Sequence, residues 1–523
     1  MIAHFEQFVK KFEGKTTKIY LIIANVVLVT LAISASNAGL LPFRNLGDFA
    51  FFLILGAVFA IYRPGWSFLF FIGSAALENI NLAPVSLGIA MRPYQFFAAI
   101  TLVSLIIGYF SKRLSFELPK WRWYDFAVIV FVFGGFLSAL FSMDKGASFK
   151  QTIVALSFAV IYFLTRIYIQ GYSDFKRVLP FFLSSSMVVM IYAFWQNIRF
   201  NLEMNSFEVM PGRPNATFTE PDWLGIYLVI LLAIMFAVIF AMNKAKVSAK
   251  FQFLNYFLIT VLFIVLIMTV SRSAWVGAAI TAVAFWKAVG LNGSLNPGNW
   301  LWKEGLKQLV FTMFAAMFAL AITYGFSLTT FQLGNRLQST GSGLQKITIA
   351  CDSDVQFGES ISNVSELEAR GCKHINLEEI ENEKAQGKVV KEIFRTDPNV
   401  DIRKQIYSKS LGEIKTNPII GIGWGGIGRI LGTDERGAGL NASNIFLEVW
   451  LGSGIFGLLA ILSLVCYILA ASVKKYFTQN QERGVISLLA TLAILIPNFF
   501  NAGIFLAMVW IILALNVSIL EEK

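Results

Sequence analysis

Long apolar segments separated by short polar ones are the feature that most constrains this chain. A helix needs about 20 mostly apolar residues to cross the hydrocarbon core of a bilayer. The sequence has fourteen segments of this kind, so we expect an all-α polytopic membrane protein with 12–14 transmembrane helices and one large external loop that contains short helices. The predicted spans lie near 19–36, 48–62, 66–79, 94–111, 124–143, 149–169, 179–198, 223–242, 253–270, 274–290, 307–326, 454–473, 485–500 and 502–519.

Composition excludes the other broad classes. Hydrophobic residues make up 56% of the 523 residues and charged residues only 14%, whereas soluble domains carry about 25% charged residues. A soluble enzyme, a disordered chain and a disulfide-scaffolded secreted domain are therefore excluded. The two histidines and three cysteines do not form a spaced ligand set, so we predict neither a metal site nor a cofactor.

The basic residues indicate the orientation in the membrane. Outside the segment 327–440 there are 29 Lys and Arg residues. If the N-terminus is cytoplasmic, 22 of them lie at the cytoplasmic ends of the predicted spans. This is the positive-inside bias, so the net charge of +11 is not a nucleic-acid footprint. We predict a bacterial cytoplasmic membrane protein with both termini cytoplasmic: helices 1–11 in 1–326, an external loop domain in 327–440 and C-terminal transmembrane helices in 441–523.

The external loop 327–440 is close to neutral, with 14 Lys and Arg against 15 Asp and Glu. It contains Cys351 and Cys372, which form a disulfide or remain two unpaired thiols; an external compartment favours the disulfide. The mixed charge and spacing of 376–396 predict a solvated helix, and 397–413 predicts a second helix.

Charged residues at the membrane are costly and indicate function, and three places at the predicted outer side carry them. The first is the turn Ser271-Arg272-Ser273 between two apolar spans. The alternative to a functional role is that Arg272 only anchors the chain at the lipid headgroups. The second is the segment 211–222. Its alternative is a turn before a helix whose dipole favours the two carboxylates, but that does not explain its arginine. Its candidate residues are Arg213, Asn215, Thr217, Glu220 and Asp222.

The third place is the glycine-rich segment 417–428 with the residues that follow it. Glycines let a backbone approach another surface closely, and glycine-rich loops also cradle phosphates, although this one lacks the Lys-Ser/Thr of a P-loop. The candidate residues here are Gly423, Gly425, Ser443, Asn444 and Glu448. Arginine forks suit diphosphate oxygens, and a lipid-linked diphosphate presents its charge at this depth.

These residues resemble the O-antigen ligase superfamily, which includes O-antigen ligases, O-antigen and exopolysaccharide polymerases and bacterial O-oligosaccharyltransferases. The resemblance is carried by Ser271-Arg272-Ser273-Ala274-Trp275, by Gly212-Arg213 with Thr217-Phe218 and Glu220-Pro221-Asp222, and by Pro418 through Gly421-Ile422-Gly423 to Asn444, Leu447-Glu448, Gly454 and Gly457. It covers roughly residues 200–460, and the long external loop agrees with it.

The resemblance implies metal-independent, inverting transfer of a saccharide from an undecaprenyl-diphosphate carrier to an acceptor hydroxyl of a glycan, lipid or protein at the outer face of the membrane. It implies that Arg272 binds the diphosphate, with Arg213 as a second candidate. Where ligases of this family typically have His-Asn, this chain has Ser443-Asn444, which favours a polymerase or another glycan transferase over a lipid A-core ligase.

If the reaction needs a base, the available carboxylates are Glu220, Asp222 and Glu448, in that order. Two alternatives remain open at this point. One is a transporter or flippase for a lipid-linked glycan or a small anion, and the other is a non-catalytic scaffold. Transporters place polar groups near the bilayer midplane, whereas here they cluster at the outer edge.

Overall fold

A computed structural model of the chain describes residues 15–112, 119–328, 344–358, 360–361, 365–375, 380–396, 398–433, 439–478 and 481–522. Within these residues, the α-helices that precede the loop are α1 (Lys15–Asn37), α2 (Leu46–Tyr62), α3 (Pro64–Ser74), α4 (Pro93–Phe110), α5 (Trp123–Phe141), α6 (Lys145–Tyr168), α7 (Tyr172–Asn201), α8 (Pro221–Lys244), α9 (Ala249–Met268), α10 (Arg272–Leu291) and α11 (Trp302–Gly325). After the loop come α15 (Ile427–Leu431), α16 (Ile445–Tyr476), α17 (Gln481–Asn498) and α18 (Ala507–Glu521).

Each of the fourteen predicted spans overlaps a helix, and the predicted all-α polytopic membrane fold is confirmed. Among the described residues, ten helices are long and apolar enough to cross a membrane, and α2 and α18 are shorter apolar helices. The chain is therefore a multi-pass membrane protein. The predicted third span, 66–79, is wrong as a full span, because α3 has 11 residues and covers only about 17 Å of the roughly 30 Å hydrocarbon core.

The helical core lies around α8, which packs against α9, α10 and α17 and is buried along almost its whole length. Close packing here depends on two glycines. A Cβ on Gly225 would lie 2.8 Å from the Cβ of Ala274, and one on Gly277 would lie 2.7 Å from Cγ of Pro497. Because normal carbon contacts are about 3.5–4.0 Å, only glycine permits these approaches.

At one end of this bundle, which we call the site end, four chain breaks converge. They are the α7–α8 loop, the α9–α10 turn, the start of α16 and the α17–α18 loop, and side-chain hydrogen bonds join them. At the opposite end, the buried guanidinium of Arg166 forms ion pairs with Asp125 at 3.2 Å and with Glu521 at 2.5 Å. Pairing on both sides offsets the cost of burying this charge.

Residues 329–412 form a second compact unit, described here by itself. It has a three-stranded antiparallel sheet with strand order β2-β1-β3, built from β1 (Leu344–Cys351), β2 (Cys372–Ile375) and β3 (Val389–Thr396). Short helices α12 (Ser365–Glu368) and α13 (Ile380–Ala385) lie between the strands, and α14 (Pro398–Thr416) follows them. A disulfide joins Cys351 to Cys372, which are direct partners across β1 and β2.

The helix predicted over 376–396 is wrong in its second half. Residues 376–379 lie outside the described part, α13 covers Ile380–Ala385, and after a short turn Val389–Thr396 forms β3, which pairs along the whole of β1. The helix predicted over 397–413 is confirmed as α14, although residue 397 itself is not described. The sheet has its own apolar core, which includes Ile347, Ile349 and Leu367.

Candidate functional site

Arg213 and Asp222 lie at the two ends of the segment that leads into α8, and the fold brings them together. The guanidinium of Arg213 donates from Nε to the carbonyl oxygen of Thr269 at 3.0 Å, and its Nη2 lies 3.5 Å from Oδ2 of Asp222. Only 12% of the Arg213 side chain is exposed, against 30% for Asp222. The arginine is thus held at the α9–α10 turn, with its charge only partly met by one carboxylate.

The α9–α10 turn contributes its serines to the same cluster. Oγ of Ser271 donates to Oδ1 of Asp222 at 2.6 Å and lies 3.3 Å from Oγ of Ser273. Ser273 also accepts a hydrogen bond at 2.8 Å from Nδ2 of Asn501, in the α17–α18 loop. A continuous polar chain therefore runs from Arg213 through Asp222 and the two serines to Asn501.

The start of α16 joins this cluster through the same α17–α18 loop. Oδ1 of Asn444 caps the helix by accepting from the backbone nitrogens of Phe446 and Leu447 at 2.9 and 3.1 Å, while its Nδ2 donates to the carbonyl oxygen of Phe499 at 3.0 Å. Glu448, one turn into the helix, is buried and accepts the N–H of Ala442 at 2.6 Å. Asn444 is therefore a helix cap that also holds the loop carrying Asn501.

Arg272 and Glu220 occupy comparable positions at two helix starts. Arg272 is the first residue of α10, and Glu220 immediately precedes α8. Both side chains are half-buried, and both take part in interactions within the protein. Arg272 begins the helix that follows Ser271, so two arginines belong to the segments that meet at Asp222.

Several non-glycine residues adopt left-handed backbone at this end, and three of them lie in or directly beside the three predicted segments. They are Ala216 (φ +48°), Val270 (φ +51°) and Ser443 (φ +50°). This region is disfavoured for any residue with a Cβ and most of all for a β-branched one such as Val270. Each such conformation costs about 1–3 kcal/mol and is concentrated at functional sites, so the strain supports a site here.

Asn215 and Thr217 have structural partners. Asn215 accepts the N–H of Val209 at 3.2 Å and donates to the carbonyl oxygen of Phe218 at 2.5 Å, and Thr217 donates to the carbonyl oxygen of Ala76 at 2.6 Å. Both side chains are buried. They hold the α7–α8 loop in shape and attach it to the segment after α3, which leaves their predicted contact with substrate as a hypothesis without support in this geometry.

The glycine-rich segment packs tightly against its neighbours. A Cβ on Gly423 would lie 2.8 Å from Oγ of Ser148, and one on Gly425 would lie 2.5 Å from the carbonyl carbon of Ala147. The segment also runs along a break in α16 at Gly454, where Ile455 donates to the carbonyl oxygen of Ile419 at 3.0 Å. Close packing accounts for Gly423 and Gly425 without a ligand.

Sequence reasoning missed two groups of residues near the site. The first is the α17–α18 loop with Phe499 and Asn501, whose only signal was polar asparagine in an otherwise apolar C-terminal segment. The second is a pair of carboxylates outside the spans, Glu78 and Glu208. Glu78 is buried and accepts from Ala507 N and from the hydroxyl of Tyr94, both at 2.8 Å.

Burial raises the pKa of Glu208 to about 7, and burial likewise raises the pKa of Glu78. Among the described residues, no group of three or more His, Cys, Asp or Glu side chains is arranged to hold a metal ion.

The fold and this cluster define a multi-pass membrane protein with a polar, arginine-containing site where four of its helix ends meet. The family model described as O-antigen ligase matches residues 256–462, which include most of α9, the α9–α10 turn, the loop unit and the first half of α16. The match confirms the predicted resemblance over residues 256–462. It supports membrane glycosyltransferase activity of the general O-antigen ligase and polymerase type. No curated protein and no solved structure gives a significant match.

Proposed function

We propose that this protein transfers or polymerises a saccharide from a polyprenyl-diphosphate carrier onto an acceptor hydroxyl. The observation that carries the proposal is the position of Arg213 at a junction of helix ends. This arginine contacts Asp222, which Ser271 also contacts, and the Thr269 carbonyl, three residues before Arg272 in the chain. Guanidinium groups bind phosphate oxygens in a bidentate manner. A site at the end of a helical bundle suits a donor whose diphosphate lies at the headgroup level and whose tail lies in the bilayer.

Catalysis at such a site is electrostatic. As the bond between the anomeric carbon and the diphosphate oxygen breaks, negative charge builds up on the leaving group, and preorganised donors that meet this charge accelerate the reaction. Asp222 and the Thr269 carbonyl orient Arg213 in advance, so little reorganisation accompanies the step. Arg272 supplies the second positive charge, and no bound metal is required by this proposal.

We further propose that the site end faces outward from the cytoplasmic membrane. The helix ends opposite the site carry most of the Lys and Arg residues outside 327–440, which is the pattern of a cytoplasmic side. In this orientation both termini are cytoplasmic, and the unit 329–412 is external, where a disulfide such as Cys351–Cys372 persists. The donor is then a carrier lipid displayed in the outer leaflet.

The test is transfer by purified protein in proteoliposomes supplied with an undecaprenyl-diphosphate-linked saccharide and an acceptor. We expect Arg272→Ala and Arg213→Ala each to lower the transfer rate by about 100-fold or more, the effect of removing one preorganised charge donor. Arg44→Ala is the matched control, because Arg44 is an exposed arginine in the α1–α2 connection, outside the cluster. Wild-type rates in both site variants would overturn the proposal.

A further inference from the structure

Glu208 lies in the α7–α8 loop, five residues before Arg213, and its two carboxylate oxygens are in different situations. Oε2 accepts the N–H of Gly212 at 2.9 Å and the hydroxyl of Ser206 at 3.2 Å. Oε1 is buried, and no donor in the described part of the chain lies within hydrogen-bond distance of it. A buried acceptor without a partner is costly, so this oxygen is able to accept a further hydrogen bond.

The backbone around Glu208 is held firmly. Phe207 adopts left-handed backbone with φ +57°, and its carbonyl oxygen accepts from Nε2 of Gln196 at 3.1 Å. On the other side, the N–H of Val209 donates to Asn215 at 3.2 Å. A strained residue fixed by neighbours on both sides is typical of a side chain that the fold keeps in one place for function.

Four other carboxylates at the site end are Asp222, Glu220, Glu78 and Glu448, and none of them has a buried oxygen without a partner in the described part of the chain. Asp222 accepts a hydrogen bond from Ser271 and faces Arg213 at 3.5 Å. Both oxygens of Glu78 accept hydrogen bonds, and Arg92 lies 3.4 Å from one of them. Glu448 accepts the N–H of Ala442 and is buried within the start of α16.

The acidity of Glu208 suits proton transfer. Burial raises its pKa to about 7, while the hydrogen bonds from Gly212 and Ser206 act in the opposite direction. A general base works best when its pKa lies near the working pH. One charged group beside this loop is Arg199 on α7, whose guanidinium lies 5.6 Å from the centre of the Phe207 ring. The others on the loop and on the elements next to it are Glu203, Arg213, Glu220, Asp222, Arg272 and the Glu78–Arg92 pair.

We infer that Glu208 is the general base that accepts the proton of the acceptor hydroxyl, an inference that rests on the proposed transferase function. The acceptor oxygen forms a bond to the anomeric carbon of the donor saccharide. The bond from that carbon to the diphosphate oxygen breaks, and its electron pair leaves with the diphosphate, whose charge the arginines meet. The acceptor proton passes to Oε1 of Glu208. One loop thereby carries both the base and an arginine that binds the leaving group.

The test compares wild-type protein with Glu208→Gln, Glu208→Asp and the matched control Glu203→Gln, an exposed carboxylate on the same loop. The proteoliposome transfer rate is measured between pH 5.5 and 8.5. For the wild type and the control we expect a rate that falls about tenfold per pH unit below the base pKa, because only the carboxylate accepts a proton. Glu208→Gln should lower the rate by about 100-fold or more and abolish this acid limb. Glu208→Asp should retain part of the activity and the limb.

A second measurement keeps the inference testable if Glu208→Gln folds poorly. Infrared difference spectra of the wild-type protein should show a protonated carboxyl band that disappears as the pH rises through 7, and Glu208→Asp should shift this titration. Wild-type rates and pH profile in Glu208→Gln, with an active wild type, would overturn the base while leaving the transferase function intact. No transfer by the wild type with any acceptor would overturn the transferase function and the base together.

Discussion

Replacing Gly425 by alanine tests whether the glycine-rich segment packs or binds a ligand. The new Cβ would lie 2.5 Å from the carbonyl carbon of Ala147 and 2.6 Å from its Cβ, and nearer still to the backbone nitrogen of Ser148. Ordinary contacts between carbons are about 3.5–4.0 Å, so the segment and the start of α6 must separate by about 1 Å. The atoms in the way are largely backbone, which a rotamer change cannot move.

Overpacking of this kind costs about 1–3 kcal/mol. The hydrogen bond from Gly425 N to Oγ of Ser148, 3.2 Å long, would also be strained, and such a bond contributes about 1 kcal/mol. We therefore expect Gly425→Ala to destabilise the protein by about 3 kcal/mol. Gly146→Ala is the matched control on the same helix start, because the nearest atom to its Cβ would be Oδ1 of Asp144 at 3.9 Å.

The assay is thermal unfolding in detergent, combined with the transfer rate per folded molecule. We expect Gly425→Ala to lower the unfolding midpoint clearly, Gly146→Ala to leave it unchanged or slightly raised, and both folded proteins to transfer saccharide at rates close to wild type. A Gly425→Ala protein as stable as wild type but inactive would refute the packing interpretation and return the segment to the list of ligand-binding elements.

Two further predictions follow from the contacts. Asn501→Ala removes the donor to Ser273. Since a net hydrogen bond is worth about 1 kcal/mol, we expect the transfer rate of reconstituted protein to fall about fivefold, with little change in the unfolding midpoint. An unchanged rate would show that the α17–α18 loop does not act on the site. The Cys351→Ala/Cys372→Ala protein loses a cross-link over a sequence separation of 21 residues. We expect this loss to destabilise the loop unit by about 3 kcal/mol and to speed its cleavage in limited proteolysis. Protease resistance equal to that of the wild type would contradict this prediction.

The membrane part of the fold could be predicted because its information is local. An apolar segment of sufficient length forms a helix in a bilayer wherever it packs, so every predicted span overlaps a helix. The start of α14 was equally visible in Asp397-Pro398, since proline is favoured at the first turn of a helix. Where packing decides the length, as for α3, the apolar pattern overstated the span.

The strand β3 shows what local information leaves out. Its residues, Val389–Thr396, run in pairs of apolar and polar residues, and the charges suggested an exposed helix. The β-branched and aromatic side chains among them favour a strand, but the deciding interaction is pairing with β1, whose partner residues lie 38 to 52 positions earlier in the chain. Such pairing cannot be recognised from the segment alone.

The sequence predicted the charged residues of the site but not the tertiary contacts that join them. Arg213, Asp222 and Ser271 stand out because charge and polarity are costly at a membrane boundary, and the structure joins them directly. Asn501 enters the cluster only through tertiary contact, and the unpartnered oxygen of Glu208 exists only once the loop is folded. The roles of these residues in catalysis stay predictions until variants are measured.

The most direct test of the transferase function follows the donor itself in proteoliposomes. Purified wild-type protein is incubated with an undecaprenyl-diphosphate-linked repeat unit, with and without a separate acceptor, and the carrier-bound and acceptor-bound products are resolved by mass spectrometry. We expect new glycosidic bonds, either as a ladder of repeat units on the carrier or as units moved to the acceptor, with one polyprenyl diphosphate released for each bond formed. Donor that crosses the bilayer with all its bonds unchanged, and no released diphosphate, would contradict transfer and identify a transporter instead.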